Sequence, residues 1–410
     1  MLHHRTLAIA VIAAASFAIA PTFAQAEGTI TLGSAISLTG KYSTNGNDAK
    51  NGYDFAVKRI NEMGGVKVGG KTYKLKVKYY DDESTPLRTA QLFERLIQQD
   101  GVKFLLGPYS SATTKAAAPI IEKYKLPMVE AEGASRSLFS QGYKYMFAPL
   151  STSEQYLASA LALAAEMAKN SGKDASSVKV AMAFENDPFS LDVRAGVAED
   201  AKKYGMQVVV DDKLPRDLND MSATLTKVKA LKPDLLVISG HAKGANTAAR
   251  EIKEMQIQVP MIAMTHCESG HVVEQFGAEA TEGFLCPTQW AETLSYKDNV
   301  FGSAADYDKA FKKAYPKYSV TPYQAASGSA ALLVWKDAFE RAGSLDPEKV
   351  RDALAKTDLD TFYGHVQFDE TGKNIGKPMV LRQIQDGEYK VVAPTKWASD
   401  KVQWPRMAKY

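Results

Sequence analysis

The chain has 410 residues, 45% of them hydrophobic and 24% charged, enough to bury the cores of two or three domains. Fifty lysines and arginines stand against 47 aspartates and glutamates, for a net charge of +3. With both signs scattered along the chain, neither nucleic acid nor an anionic membrane is indicated as a partner.

The first residues, Met1-Leu-His-His-Arg5, are weakly basic and lead into an apolar run over 7–20, then Pro21 and Ala24-Gln25-Ala26. That is the order of a secretory signal peptide spanning 1–26, with cleavage expected after Ala26. The run is shorter than the roughly 20 residues a spanning helix needs, and no cysteine near the cleavage site offers a lipid anchor. The expected product is exported. Export permits a disulfide between the two cysteines, Cys267 and Cys286, but their spacing does not decide between a bridge and two thiols.

Beyond the signal, β-rich runs alternate with helical patterns. A strand over 29–38 is followed by a helix over 47–63, in which Ala49, Tyr53, Ala56, Val57 and Ile60 recur at helical spacing. A strand at 74–80, a helix at 86–99, a strand at 104–106, a helix at 112–124 and a strand at 127–130 continue the rhythm. It restarts after Pro149: helix 152–169, strand 178–184, helix 189–204, strand 206–211, helix 221–231, strand 235–239, helix 243–255, and strands at 261–265 and 283–286. Helices at 304–314, 323–342 and 347–356 precede a strand at 364–369. The chain closes on a hairpin over 378–392 turning at Asp386-Gly387. Such alternation predicts an α/β protein with two doubly wound parallel-sheet lobes.

Several patterns invite an enzymatic reading. Gly65-Val-Lys-Val-Gly-Gly70-Lys71-Thr72 fits G-x-x-x-x-G-K-[ST], the phosphate-binding loop. A working loop leaves a strand and opens a helix, whose free amides and positive dipole end face the anion. Here the order is reversed, and the stretch reads as a helix-to-strand connection holding a small hairpin. The nearest approach to a serine elbow, Gly133-Ala-Ser135-Arg-Ser137, lacks the second glycine. His266-Cys267-Glu268-x-x-His271 offers zinc-type ligands, yet adjacent residues rarely converge on one ion, and a polar loop is the plainer reading. No G-x-G-x-x-G follows the first strand. Neither catalytic residues, nor a cofactor, nor a metal is therefore expected.

In open α/β sheets ligands sit beyond the carboxyl ends of strands. Three such loops are rich in small and hydroxyl residues: 38–46, Gly107-Pro-Tyr109-Ser110-Ser111-Ala-Thr113-Thr114, and Glu130-Ala-Glu132-Gly133-Ala134-Ser135. Hydroxyls and free amides at a helix start suit a carboxylate. Ordinary capping by Ser110 or Ser111 is the competing explanation.

"SLTGKYSTNGND", "NGYDFAVKRINEMGGV", "LLGPYSSATTKAAAPIIEKYKLPMVEAEGAS" and "AFENDPFSLDVRAG" resemble the Leu/Ile/Val-type periplasmic solute-binding proteins of ABC transporters, over about 29–392. The resemblance implies a type I periplasmic binding fold with a three-crossing hinge. Lobe 1 would span 27–148 and 287–363, and lobe 2 149–286 and 364–410, with crossings near 148–150, 286–290 and 363–364. It also implies a monomer that closes on an amino acid or related carboxylate and passes it to a membrane permease. Ser110-Ser111 and Gly133-Ala134-Ser135 match the carboxylate loops, Ser111 and Ser135 supplying the hydroxyls. Phe189 matches a ligand-covering aromatic, and Glu268 the acid that pairs with an α-ammonium. Asn45 and His241 stand where aromatic residues are frequent, and Phe189, Tyr109 and His241 would shape the side-chain pocket. Those departures open the alternative of an amine-free, for example aromatic, carboxylic acid. An exported hydrolase or metalloenzyme is the alternative of another class, and a sensory receptor the alternative partner to a permease.

Overall fold

The structure is a computed structural model that describes residues 28–406 and 410. The expected signal peptide at 1–26 lies outside these residues. Among the described residues no helix is long and apolar enough to cross a membrane.

Two sheets organise the chain. In the first, the order is Val66–Val68, Lys71–Asp81, Gly28–Ile36, Phe104–Leu106, Met128–Val129 and Met146–Phe147. All neighbours run parallel except the first pair, a hairpin. That hairpin is the stretch resembling a phosphate loop. Val68 pairs with Lys71 across a two-residue turn in which Gly69 and Gly70 take φ of 56° and 84°, values that favour glycine. No helix follows it.

The second sheet runs Glu388–Ala393, Val380–Gln385, Leu285–Thr288, Met261–Met264, Leu235–Ser239, Lys179–Glu185 and Gln207–Leu214. Its last five strands are parallel, and the final hairpin closes one edge in antiparallel fashion, turning at Asp386-Gly387 as expected. Near-continuous apolar strands such as Leu235–Ser239, buried at every position, are what a sheet covered on both faces requires.

The late helix Tyr323–Ala342 returns to the first sheet and packs against Ser43–Glu62. The earlier helix buries Ala49, Tyr53, Ala56 and Ile60, a stripe at helical spacing. The crossing is close because Gly52 has no side chain: a Cβ there would lie 2.1 Å from the Ala325 carbonyl oxygen. The sequence pattern misplaces this helix's start, which lies at Ser43. It also reads 152–169 as one helix, where the chain forms a short 3-10 turn at Ser153–Gln155 before Ala158–Asn170. The small paired strands Asp358–Thr361 and Gly364–Gln367 share too few residues to show periodicity.

Between the sheets the chain passes three times, and polar side chains knit the passages together. Gln289 accepts from the Ser151 amide at 3.0 Å and donates to the Ser151 carbonyl at 2.7 Å. Asn374 donates to the Pro149 carbonyl at 2.7 Å. Lys377 is buried with its ammonium on the Gln289 carbonyl and 4.5 Å over the Tyr363 ring; burial alone lowers its pKa to about 7.

Candidate functional site

Helix Ser111–Tyr124 leaves the carboxyl end of Phe104–Leu106, as an anion-binding helix should. Ser110 does cap it, its Oγ accepting from the Thr113 amide at 3.3 Å, at a φ of 89°. Capping is thus real at Ser110 and does not account for Ser111. Ser111 Oγ instead accepts from the Ser135 amide at 3.0 Å, joining the two hydroxyl-rich loops. Ser135 Oγ is buried and makes no hydrogen bond. A buried hydroxyl without a partner costs free energy unless something else pairs with it. Together with the first amides of the helix, which lack intrahelical acceptors, these serines form a ledge of donors.

Glu130 fixes that ledge. Its carboxylate accepts from the Glu132 and Gly133 amides, at 2.5 and 2.6 Å, and from Thr114 at 2.8 Å. Burial nonetheless raises its pKa to about 7. Gly133 is packed so closely on Thr114 that a Cβ would come within 2.5 Å of its Oγ1. The Ala134 carbonyl accepts from the Ser153 amide at 2.7 Å, so Gly133 and Ala134 shape the turn through their backbones.

The opposite wall is aromatic. Phe189, from the first turn of Pro188–Tyr204, packs on His241 and His266 with ring centroids 5.5 and 5.3 Å apart. Tyr42 meets His241 edge-on at 4.6 Å, and Tyr156 meets Phe189 at 5.0 Å. The Tyr109 hydroxyl lies 3.2 Å from both His241 Nδ1 and His266 Nε2, and Tyr323 lies 3.2 Å from the same His266 nitrogen. His241 Nε2 sits 3.2 Å from Asp187 Oδ2. Burial lowers the pKa of both imidazoles, that of His266 to about 3. Contacts farther out close the lobes on each other: Lys41 reaches Glu185 and the Arg216 carbonyl, and Arg136 binds Glu199 through both terminal nitrogens, at 2.6 and 3.1 Å.

Two expected site residues stand apart. Asn45 is buried in the first turn of Ser43–Glu62 with its amide nitrogen unpaired. Glu268 is already paired. Its Oε1 lies 3.0 Å from Arg382 Nη1, and Thr288 donates to its Oε2 at 3.4 Å; Arg382 in turn reaches Glu292 at 2.6 Å. Burial raises the Glu268 pKa to about 7 despite that arginine. The His266-Cys267-Glu268-x-x-His271 stretch diverges rather than converging on an ion. His266 turns to the tyrosines, Cys267 forms a disulfide with Cys286 (Cα–Cα 5.6 Å), Glu268 turns to Arg382, and His271 precedes the short helix Val272–Phe276. Tyr42, Tyr156, Asp187 and Tyr323 join the cleft without having been singled out by the sequence. Their signal was weak because each belongs to a different element.

Residues 29–388 match the family described as periplasmic binding protein. The chain belongs to the periplasmic binding protein family. This periplasmic binding protein is 24% identical, over 88% of its own length and 91% of the relative's, to a leucine-, isoleucine-, valine-, threonine- and alanine-binding protein of Pseudomonas aeruginosa. Its fold is that of the leucine-binding protein LivK from Thermotoga maritima, with a TM-score of 0.76 and 24% identity, covering 89% of this chain and 98% of that one. A solute-binding protein from R. palustris, solved in complex with benzoate, shares the fold with a TM-score of 0.74 and 16% identity, covering 93% and 98%. Its family is thus one of binding proteins rather than of enzymes.

Proposed function

We propose that this protein is an extracytoplasmic receptor that encloses an amino acid or related small carboxylate between its lobes and delivers it to an ABC importer. The observation that carries this reading is the Ser111–Ser135 ledge. It has a buried, unpaired hydroxyl, that of Ser135, whose amide is bonded to Ser111 at a helix start. Hydroxyl and amide donors converging on one point pair with a carboxylate strongly, since charge-assisted hydrogen bonds are about twice as strong as neutral ones. We assign the carboxylate to Ser111, Ser135 and the helix amides, and the α-ammonium to Glu268, shared with Arg382. Tyr109, Phe189 and His241 would surround the side chain. Lobe 1 would comprise 27–148 and 287–363, and lobe 2 149–286 and 364–410. A monomer, cleaved after Ala26, would open and close about the Gln289 crossings, the ligand favouring the closed state.

A second reading has its own observation. Arg382 already balances the Glu268 carboxylate, so an amine-free acid against the ring-lined wall would leave no charge stranded. Thermal-shift screening of amino acids against aromatic acids, with mass spectrometry of ligand co-purified with the native protein, tests both. Stabilisation by amino acids, weakened in Glu268→Gln, supports the first. Stabilisation by amine-free acids alone removes the ammonium role of Glu268. Indifference to every carboxylate removes the receptor reading.

A further inference from the structure

The two imidazoles of the ring-lined wall each turn one ring nitrogen to a tyrosine hydroxyl, and at His241 the tautomer is set by a neighbour. Asp187 lies against His241 Nε2. Burial works against ionising that aspartate, but His241, the Ser190 amide and Lys41 hold it below the usual carboxylate range. The ring proton is therefore assigned to Nε2, and Nδ1 faces the cleft as an acceptor. His266 Nε2 meets two tyrosine hydroxyls, at 3.2 Å each, and a hydroxyl can donate to or accept from that nitrogen. Either tautomer of His266 therefore presents a hydrogen-bonding nitrogen toward the cleft. Both imidazole nitrogens come from loops of the second sheet. The hydroxyls facing them, Tyr109 and Tyr323, come from elements packed on the first.

Resting on the receptor reading above, we infer that His241 and His266 select ligands bearing a hydroxyl at the end remote from the carboxylate, over the matching hydrocarbons. A hydroxyl both donates and accepts. Inserted between a tyrosine O–H and an imidazole nitrogen, it replaces their direct hydrogen bond with two and leaves every atom paired. A hydrocarbon inserted there separates the same pair and strands a buried donor and a buried acceptor. Sites built to hydrogen-bond a hydroxyl reject the analogue lacking it far more sharply than apolar pockets reject an added methylene. Because burial lowers the pKa of both rings, both are neutral at neutral pH and His241 keeps its acceptor there.

Calorimetric titration of matched pairs tests this: threonine against valine, tyrosine against phenylalanine, and 4-hydroxybenzoate against benzoate. In every pair that binds, the hydroxylated member is expected to bind at least about tenfold tighter. In His241→Phe and His266→Phe the hydroxylated member should lose more affinity than its unhydroxylated partner, bringing the pair toward parity. Because the wild-type pairs are read first, a variant that fails to fold leaves the test intact. Equal or tighter binding of the unhydroxylated members overturns the inference and leaves the receptor reading standing. Binding of no acid, in these pairs or in the wider screen, overturns the receptor reading itself.

Discussion

The two walls of the cleft are built in opposite ways. The donor ledge uses two short runs, Tyr109–Thr113 and Gly133–Ser135, each leaving a strand of the first sheet and positioned by local hydrogen bonds. The ring-lined wall gathers Tyr42, Tyr156, His241, His266 and Tyr323 from separate elements, with Asp187 and Phe189 from one helix start, across 282 positions (323 − 42 + 1). Its geometry therefore rests on long-range fixtures, and damage far from the ligand should reach it. The ledge should respond mainly to changes in its own residues.

The largest expected effect breaks a long-range fixture. The Cys267–Cys286 disulfide ties the loop carrying His266 to the strand Leu285–Thr288, which leads into the Gln289 crossing. Closing a loop of this length is worth about 3 kcal/mol in the unfolded chain. Cys267→Ser with Cys286→Ser should lower the unfolding free energy by about that much in chemical denaturation. It should also loosen ligand binding, while leaving the Ser111–Ser135 bond undisturbed. Stability unchanged within error would show that the loop is held by packing alone.

The next effect separates the walls by pH. His266 has a folded pKa near 3 because burial disfavours the imidazolium, whereas the unfolded chain takes up the proton near 6.5. The folded pKa is the depressed one, so its stabilising contribution is complete above about pH 6.5. It is lost progressively as pH falls toward 3. From this group alone the loss at pH 5 is about 2 kcal/mol. Buried carboxyls with raised pKa values, such as Glu130 and Glu132, act in the opposite sense, so a difference measurement is needed. The stability gap between wild type and His266→Gln should shift by about 2 kcal/mol in the variant's favour between pH 7 and pH 5. A gap independent of pH would contradict the burial argument.

On the ledge, Ser135→Ala removes the unpaired hydroxyl and nothing that supports the fold. Ligand affinity should fall by about 1.5 kcal/mol, roughly tenfold, with the melting temperature of the free protein unchanged or slightly raised. A loss of stability without a loss of affinity would make Ser135 structural.

This contrast also explains what could be read from the amino acids. The alternation of strands and helices places the strands of both sheets to within a few residues, except Met146–Phe147, whose two residues carry no pattern. The ledge was legible as well: Ser110, Ser111 and Ser135 sit where a strand hands over to a helix or turn. Tyr323 and Asp187 were not, because a tyrosine opening a buried helix reads as core, and an aspartate before Pro188 reads as a cap, which Asp187 also is. The partner of Glu268 was hidden likewise. Arg382 lies 114 positions later (382 − 268), in a strand whose pattern predicts pairing and not charge. The disulfide needed the neighbouring strands Met261–Met264 and Leu285–Thr288 to bring its ends together.

The smallest effect sharpens the same distinction between a motif and its setting. Gly65–Thr72 carries every fixed residue of a phosphate loop, yet its glycines serve a different geometry. Gly69 and Gly70 make a tight turn between antiparallel strands, and Lys71 pairs with Val68 across it. A helix N-terminus, which would supply free amides and a dipole, does not follow; the chain runs on as strand to Asp81. On the ledge, glycine and hydroxyl residues of the same kinds stand in front of a 14-residue helix. Lys71→Ala should therefore change ligand affinity by less than about 0.5 kcal/mol, the usual range for surface substitutions. A loss comparable to that of Ser135→Ala would move the anion site from the helix start to the hairpin.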